Sequence, residues 1–188
     1  MKLFIDTCNW KLVLILKKDD QIIDSLILSD TKKVSDIALS TITKLLSKNN
    51  LKINDIQDFY LTNGPGSYTG VRVGLTIVKT LKTLNNRIKV YLLNSLAFQA
   101  ANDQAISILD ARGSKYYIGV YENQKPLIEE TVVNLSELDD IKKTYSNFLI
   151  KEDNKSLDYI QTFNLLEKNF RLVDEIEEIL PLYIKNFI

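Results

Sequence analysis

A chain of 188 residues, 45% of them hydrophobic, suits one domain or two small ones of about 90 residues each and can fill a core. It carries 24 basic and 24 acidic side chains, one cysteine and no histidine. The missing histidine excludes Ser-His and Cys-His nucleophile pairs and every histidine-containing metal site, and the lone Cys8 excludes an internal disulfide. Charge is uneven: residues 1–121 hold 16 basic groups against 10 acidic, residues 122–188 hold 8 against 14. That asymmetry permits an anionic partner at the N-terminal part but falls well short of a dedicated nucleic-acid domain. Apolar runs are too short to span a membrane, and Asp6 spoils a signal peptide, so a soluble, cytoplasmic protein is expected.

Lys2 to Cys8 predicts a buried strand ending in Asp6-Thr7, with Trp10 to Lys17 as its hairpin partner and Gln21 to Leu28 completing an antiparallel meander. Ser29-Asp30-Thr31 supplies cap residues for a helix carrying Val34, Ile37, Ala38, Ile42, Leu45 and Leu46 at helical spacing. Leu39 widens its apolar face beyond what one sheet needs, leaving surface for another chain. Residues 57–62 predict a fourth strand. It runs into Gly64-Pro65-Gly66-Ser67-Tyr68-Thr69-Gly70, which holds half of the six glycines. Val71, Leu75, Val78 and Leu81 mark the core stripe of the following helix. Beside that stripe Gly70 and Gly74 stand four apart, a spacing of small residues that lets a second helix approach closely. Lys89 to Leu93 and Ser95 to Ala101 add a strand and a short helix.

Ala105 to Leu109 then runs into Asp110 much as Leu3 to Ile5 runs into Asp6, and in both places a lysine follows five residues on. The offset of 104 residues predicts two related units, 1–103 and a smaller 104–188. Further along, Leu127 to Leu135 and Phe148 to Ile150 predict strands around a helix over Ser136 to Lys143. After a polar loop over Lys151 to Asp158, Thr162 to Asn169 and Asp174 to Leu180 predict helices, the second stopped by Pro181 and packing back on the first unit.

Two sets of residues invite a chemical reading. Asp6 and Asp110 each end a first strand; facing each other they would hold magnesium-bound waters, or each would cap its own hairpin turn. The glycine loop opens a helix, where free N–H groups favour anions, so Gly66 and Ser67 are candidates for phosphate contact. Alternatively, Ser67 and Thr69 cap the helix. The loop has one residue too many for the dinucleotide fingerprint, and Val71-Arg72 stands where a P-loop needs Lys and Ser or Thr. Cys8 reads as a buried structural thiol, and Trp10, Tyr116, Tyr117 and Tyr121 read as sheet packing.

Four motifs together carry a resemblance: Phe4-Ile5-Asp6-Thr7-Cys8, Gly64 to Gly74, Leu109-Asp110-Ala111-Arg112 and Pro181-Leu182-Tyr183-Ile184-Lys185. They resemble the TsaB (YeaZ) family of tRNA threonylcarbamoyladenosine biosynthesis proteins, paralogues of the catalytic subunit TsaD. The resemblance implies an α/β, actin-like (ASKHA) fold of two ribonuclease-H-like subdomains, with mixed sheets flanked by helices. It implies a non-catalytic subunit with no cofactor of its own, ATP and magnesium belonging to the complex. The partners implied are a TsaD-like transferase with a metal-binding histidine motif, a TsaE-like ATPase, and tRNA through the complex. Alone, such a chain is expected to pair with a second copy through the same surface. The family's partner surface maps onto residues 33–48 and 70–84, which gives Val34, Ile37, Thr41, Gly70, Val73, Gly74 and Ile77 as interface candidates. Where family members often carry His-Ser-Glu at the first helix, this chain has Val34-Ser35-Asp36. A free-standing ATP-dependent enzyme or a metal-dependent protease of the same fold is the rival reading.

Overall fold

The computed structural model describes residues 1–29, 31 and 33–184. The chain divides into two units. Met1–Asn63, Ser67–Leu93 and Phe170–Pro181 form the first, while Gly64–Gly66, Asn94–Asn169 and the segment from Leu182 form the second. In chain order the first unit begins with β1 (Lys2–Asp6), β2 (Leu12–Lys18), β3 (Gln21–Leu28), α1 (Val34–Lys48), β4 (Asp58–Thr62), α2 (Tyr68–Leu84) and β5 (Lys89–Leu93). The second follows with α3 (Ser95–Ala100), β6 (Ala105–Arg112), β7 (Lys115–Glu122), β8 (Lys125–Asn134), α4 (Leu135–Thr144), β9 (Leu149–Glu152) and α5 (Tyr159–Leu166). A last strand, β10 (Arg171–Val173), returns to the first unit.

Sheet order in the first unit is β10-β5-β4-β1-β2-β3, and in the second β8-β7-β6-β9. Each unit opens with an antiparallel meander whose first strand takes the next strand in parallel on its other side. This shared order is the structural form of the sequence repeat. Two mixed sheets of ribonuclease-H-like order, flanked by helices, make the α/β, actin-like (ASKHA) fold expected from the sequence.

In the first unit β1 and β2 are covered on both faces, which is why their sequences are almost continuously apolar instead of alternating. Leu3, Ile5, Leu12, Leu14 and Leu16 share a core with Ala38, Ile42 and Leu45 of α1 and Val71, Leu75 and Val78 of α2. On the other face Phe4, Tyr60 and Tyr91 form a cross-strand row, with Tyr60 stacked on Tyr91 at 4.5 Å. Phe170 meets Tyr60 and Phe4 edge-on at 5.4 and 6.1 Å. Asp24 ties β3 to the end of α1: the Lys48 ammonium at 2.8 Å and the Asn49 amide at 2.9 Å hold its carboxyl below the usual range.

Three local expectations are corrected. Residues 174–180 do not form a helix. Leu172 and Val173 pair with β5, and only a 3-10 turn at Ile176–Glu178 follows before Pro181. The start of α1 is capped at Lys33 without a side-chain hydrogen bond, and Thr31 instead donates its N–H and hydroxyl to the Trp10 carbonyl; Asp30 lies outside the described residues. Finally, the division between units falls before α3, not after it, because α3 packs on β6 and β7.

Candidate functional site

Asp6 ends β1 and is 3% exposed. Its Oδ1 accepts from the Cys8 N–H and from the Thr62 hydroxyl, each at 2.8 Å. Cys8 is wholly buried, and its thiol donates to the Thr62 carbonyl at 3.2 Å. The carboxylate therefore closes its own turn and ties it to β4. Burial pushes its pKa up, against the opposing pull of the Cys8 and Thr62 hydrogen bonds and of Lys11. A raised folded-state pKa means that stability from this group is greatest in acid and falls as pH rises from the unfolded value, 3.8, through the folded one. Asp6→Asn keeps an Oδ1 acceptor and removes the charge. Its unfolding free energy is expected to exceed that of the parent at pH 7 and to converge with it toward pH ~3.5, read by denaturant titration across that range. An Asn variant less stable at neutral pH would show that the charge is needed.

Asp110, its counterpart in the repeat, has the opposite surroundings. It is exposed, accepts the Arg112 N–H at 2.7 Å, and donates its own N–H to Asp153 Oδ1 at 2.9 Å. Both aspartates thus accept the N–H two residues on, the geometry of turn closure. Among the described residues no group of three or more His, Cys, Asp or Glu side chains is placed to hold a metal ion.

The glycine loop connects β4 to α2. Ser67 caps α2, its Oγ accepting from Gly70 N–H at 3.3 Å, and its own N–H donates to the Cys8 carbonyl at 2.7 Å. Gly64 accepts from Ser95 N–H at 2.7 Å, and Gly66 lies half-buried in the bend. Thr69 is exposed on the first turn of α2. The side chain that satisfies the helix start is therefore Ser67, as the capping reading expects.

α1 and α2 pack against each other on one face of the first sheet. The proposed contact residues on them divide sharply. Val34, Thr41, Gly70 and Gly74 are buried inside the unit. The two glycines face their own sheet: a Cβ on Gly70 would lie 2.1 Å from the Thr7 carbonyl oxygen, and one on Gly74 would lie 2.9 Å from Thr7 Oγ1. The close approach that their spacing permits is taken up by β1, so they are corrected from docking residues to seating residues. Ile37, Val73 and Ile77 are partly buried, packed on the core of the first unit yet still accessible at its surface. Leu84, at 79% exposure, falls on the same flank of α2 as Val73 and Ile77 by helical geometry. It escaped sequence reading because it follows the last turn of the core stripe. On the first turn, the Arg72 guanidinium stacks 3.3 Å from the ring centre of exposed Tyr68. Leu39 is 59% exposed, the surplus apolar surface its position predicted.

Among the aromatic residues, Trp10 is 54% exposed because it stands in the turn before β2, not within the strand, which corrects its assignment to sheet packing. Tyr121 is buried under Gly119, and Tyr116 packs on the core of the second unit. That unit also holds a cavity of about 360 Å³, lined by residues that include Gln99, Ile150, Lys151, Asn154 and Leu157. Gln99 builds its floor, donating to Ser107, Lys151 and Ile108 and accepting the Asn154 N–H at 2.5 Å. A lone glutamine in a short helix carries no sequence signal for this role.

The family model described as TsaD, tRNA N6-adenosine threonylcarbamoyltransferase, matches residues 21–169. TsaB of Bacillus subtilis, a tRNA threonylcarbamoyladenosine biosynthesis protein, is 36% identical over 135 residues, covering 69% of this chain and 58% of that one. The chain belongs to the TsaB/YeaZ family. An uncharacterised Mycoplasma pneumoniae protein of matching length, the MG208 homologue, is 32% identical over 192 residues, covering 98% of this chain and 95% of its own. YeaZ from Pseudomonas aeruginosa superposes with a TM-score of 0.74 at 18% identity, over 97% of this chain and 98% of that one. A second structure, of a Pseudomonas aeruginosa protein described as similar to peptidase YeaZ, gives 0.76 at 16% identity, over 98% and 99%. At those identities the structures speak for the fold alone.

Proposed function

We propose that the chain is a non-catalytic, cytoplasmic subunit of tRNA threonylcarbamoyladenosine synthesis that docks a TsaD-like transferase through the outer flank of α1 and α2. The observation that carries this reading is the absence of histidine from a chain that fits the TsaD family model over residues 21–169. The transferase of the family resemblance uses a histidine motif to bind its metal, and no residue here can replace it in kind. Asp6 and Asp110 are occupied in turn closure, and Ser67 in helix capping. What remains is an apolar strip, partly buried Ile37, Val73 and Ile77 with exposed Leu84, suited to a protein partner. In this scheme a TsaE-like ATPase and tRNA join the assembly through the transferase complex. No helix among the described residues is long and apolar enough to cross a membrane.

The rival, a free-standing ATP-dependent enzyme or metal-dependent protease, is separated by assaying the purified chain alone. We expect no ATP or peptide turnover above buffer, with or without added magnesium or zinc. Steady hydrolysis that disappears in both Asp6→Ala and Asp110→Ala would overturn the scaffold reading.

A further inference from the structure

Thr7 directly follows β1, opening the turn that leads to β2, and is 2% exposed. Its hydroxyl donates to the Gly70 carbonyl at 2.7 Å and accepts from the Gly74 N–H at 3.2 Å. Residues 70 and 74 are the pair that an α-helix joins to each other through its own i to i−4 ladder. One side chain from the end of β1 therefore enters the first full turn of α2 and bonds to both ends of that step. The insertion is feasible only because neither partner has a Cβ: any side chain at residue 70 would meet the Thr7 carbonyl, and any at residue 74 its hydroxyl.

We infer that Thr7 is a positioning residue for the docking surface, its hydroxyl setting the height and rotation of the α2 turn that presents Val73 and Ile77. Val73 precedes Gly74, and Ile77 lies three residues beyond it, so a shift of the helix backbone at Gly74 moves both. The hydroxyl's two partners can bond to each other when it is gone. Removing it therefore releases the tether without orphaning a buried group, so the loss falls on the placement of α2 more than on folding. The inference rests on the docking reading above, and its test separates the two.

Thr7→Val preserves shape without the hydroxyl, and Thr7→Ser preserves the hydroxyl with less bulk. For each, affinity for the TsaD-like protein is measured by titration calorimetry, and amide hydrogen exchange across α2 is measured in the isolated chain. Thr7→Val is expected to bind about tenfold more weakly and to exchange faster over residues 70–77, and Thr7→Ser to restore both. Binding of Thr7→Val within about twofold of the parent, or a Thr7→Ser variant as weak as Thr7→Val, would overturn the inference. If the parent chain does not bind at all, the docking reading fails, and the exchange rates alone decide whether the hydroxyl holds α2. Should Thr7→Val not fold, Thr7→Ala is read against Thr7→Ser by the same two measurements.

Discussion

Gly70→Ala is expected to lower the thermal midpoint by about 6 °C or more, a loss of roughly 3 kcal/mol for a chain of this size. Helix propensity alone argues the reverse, since alanine in a helix is favoured over glycine by about 1 kcal/mol. The packing term wins because the new Cβ would sit 2.1 Å from a backbone oxygen, that of buried Thr7, directly after β1. Neither β1 nor α2 can yield without disturbing the core that Ile5, Leu61 and Leu75 share. Gly74→Ala makes a useful contrast. Its Cβ would lie 2.9 Å from the Thr7 hydroxyl, the end of a rotatable side chain, so Thr7 can swing aside and give up its two hydrogen bonds. The smaller effect is expected there. Differential scanning calorimetry of the two variants checks the order, and a Gly70→Ala protein as stable as the parent would mean that α2 is not seated on Thr7.

Much of this fold can be read directly from the residues. The hairpins of the first unit were legible because continuous apolar runs, Leu3 to Ile5 and Leu12 to Leu16, end at short polar turns. The repeat was legible because Asp6 and Asp110 close equivalent turns, and the same chemistry recurs at the same place in each unit. What failed was whatever depended on a distant partner. Asp174 to Leu180 has helical spacing yet holds only the 3-10 turn Ile176–Glu178, and the pairing of Leu172 and Val173 just before it with Tyr91 and Val90, some eighty residues earlier, leaves no local trace. The Gly70/Gly74 pair posed a related difficulty. Two small residues four apart look alike whether they admit a partner helix or the chain's own strand, and only the position of Thr7 tells them apart. Val34 and Thr41 became interface candidates through the family's partner surface on α1, although both are buried within the unit. Trp10 was misplaced for a simpler reason: β2 starts two residues later than its apolar pattern does.

The surviving surface strip gives the second large effect. Val73→Arg and Ile77→Arg keep an aliphatic stem to cover the core while setting a charge at the outer flank of α2, so the fold should persist. Burying those charges against an apolar partner surface should weaken binding of the TsaD-like protein at least about 30-fold, the scale of a central interface residue. Circular dichroism guards against a folding defect. On the proposed docking role, activity should fall with binding, because a non-catalytic subunit would contribute only through the complex it holds together.

The most direct measurement is therefore reconstitution of threonylcarbamoyladenosine on tRNA from purified TsaD-like and TsaE-like proteins, ATP and the threonylcarbamoyl donor, with this chain present, omitted, or replaced by the Val73→Arg, Ile77→Arg double variant. Full modification is expected only with the unaltered chain, background levels in the other two reactions, and none from the chain alone. Undiminished modification without the chain, or transfer by the chain in the absence of the TsaD-like protein, would rule out a docking subunit.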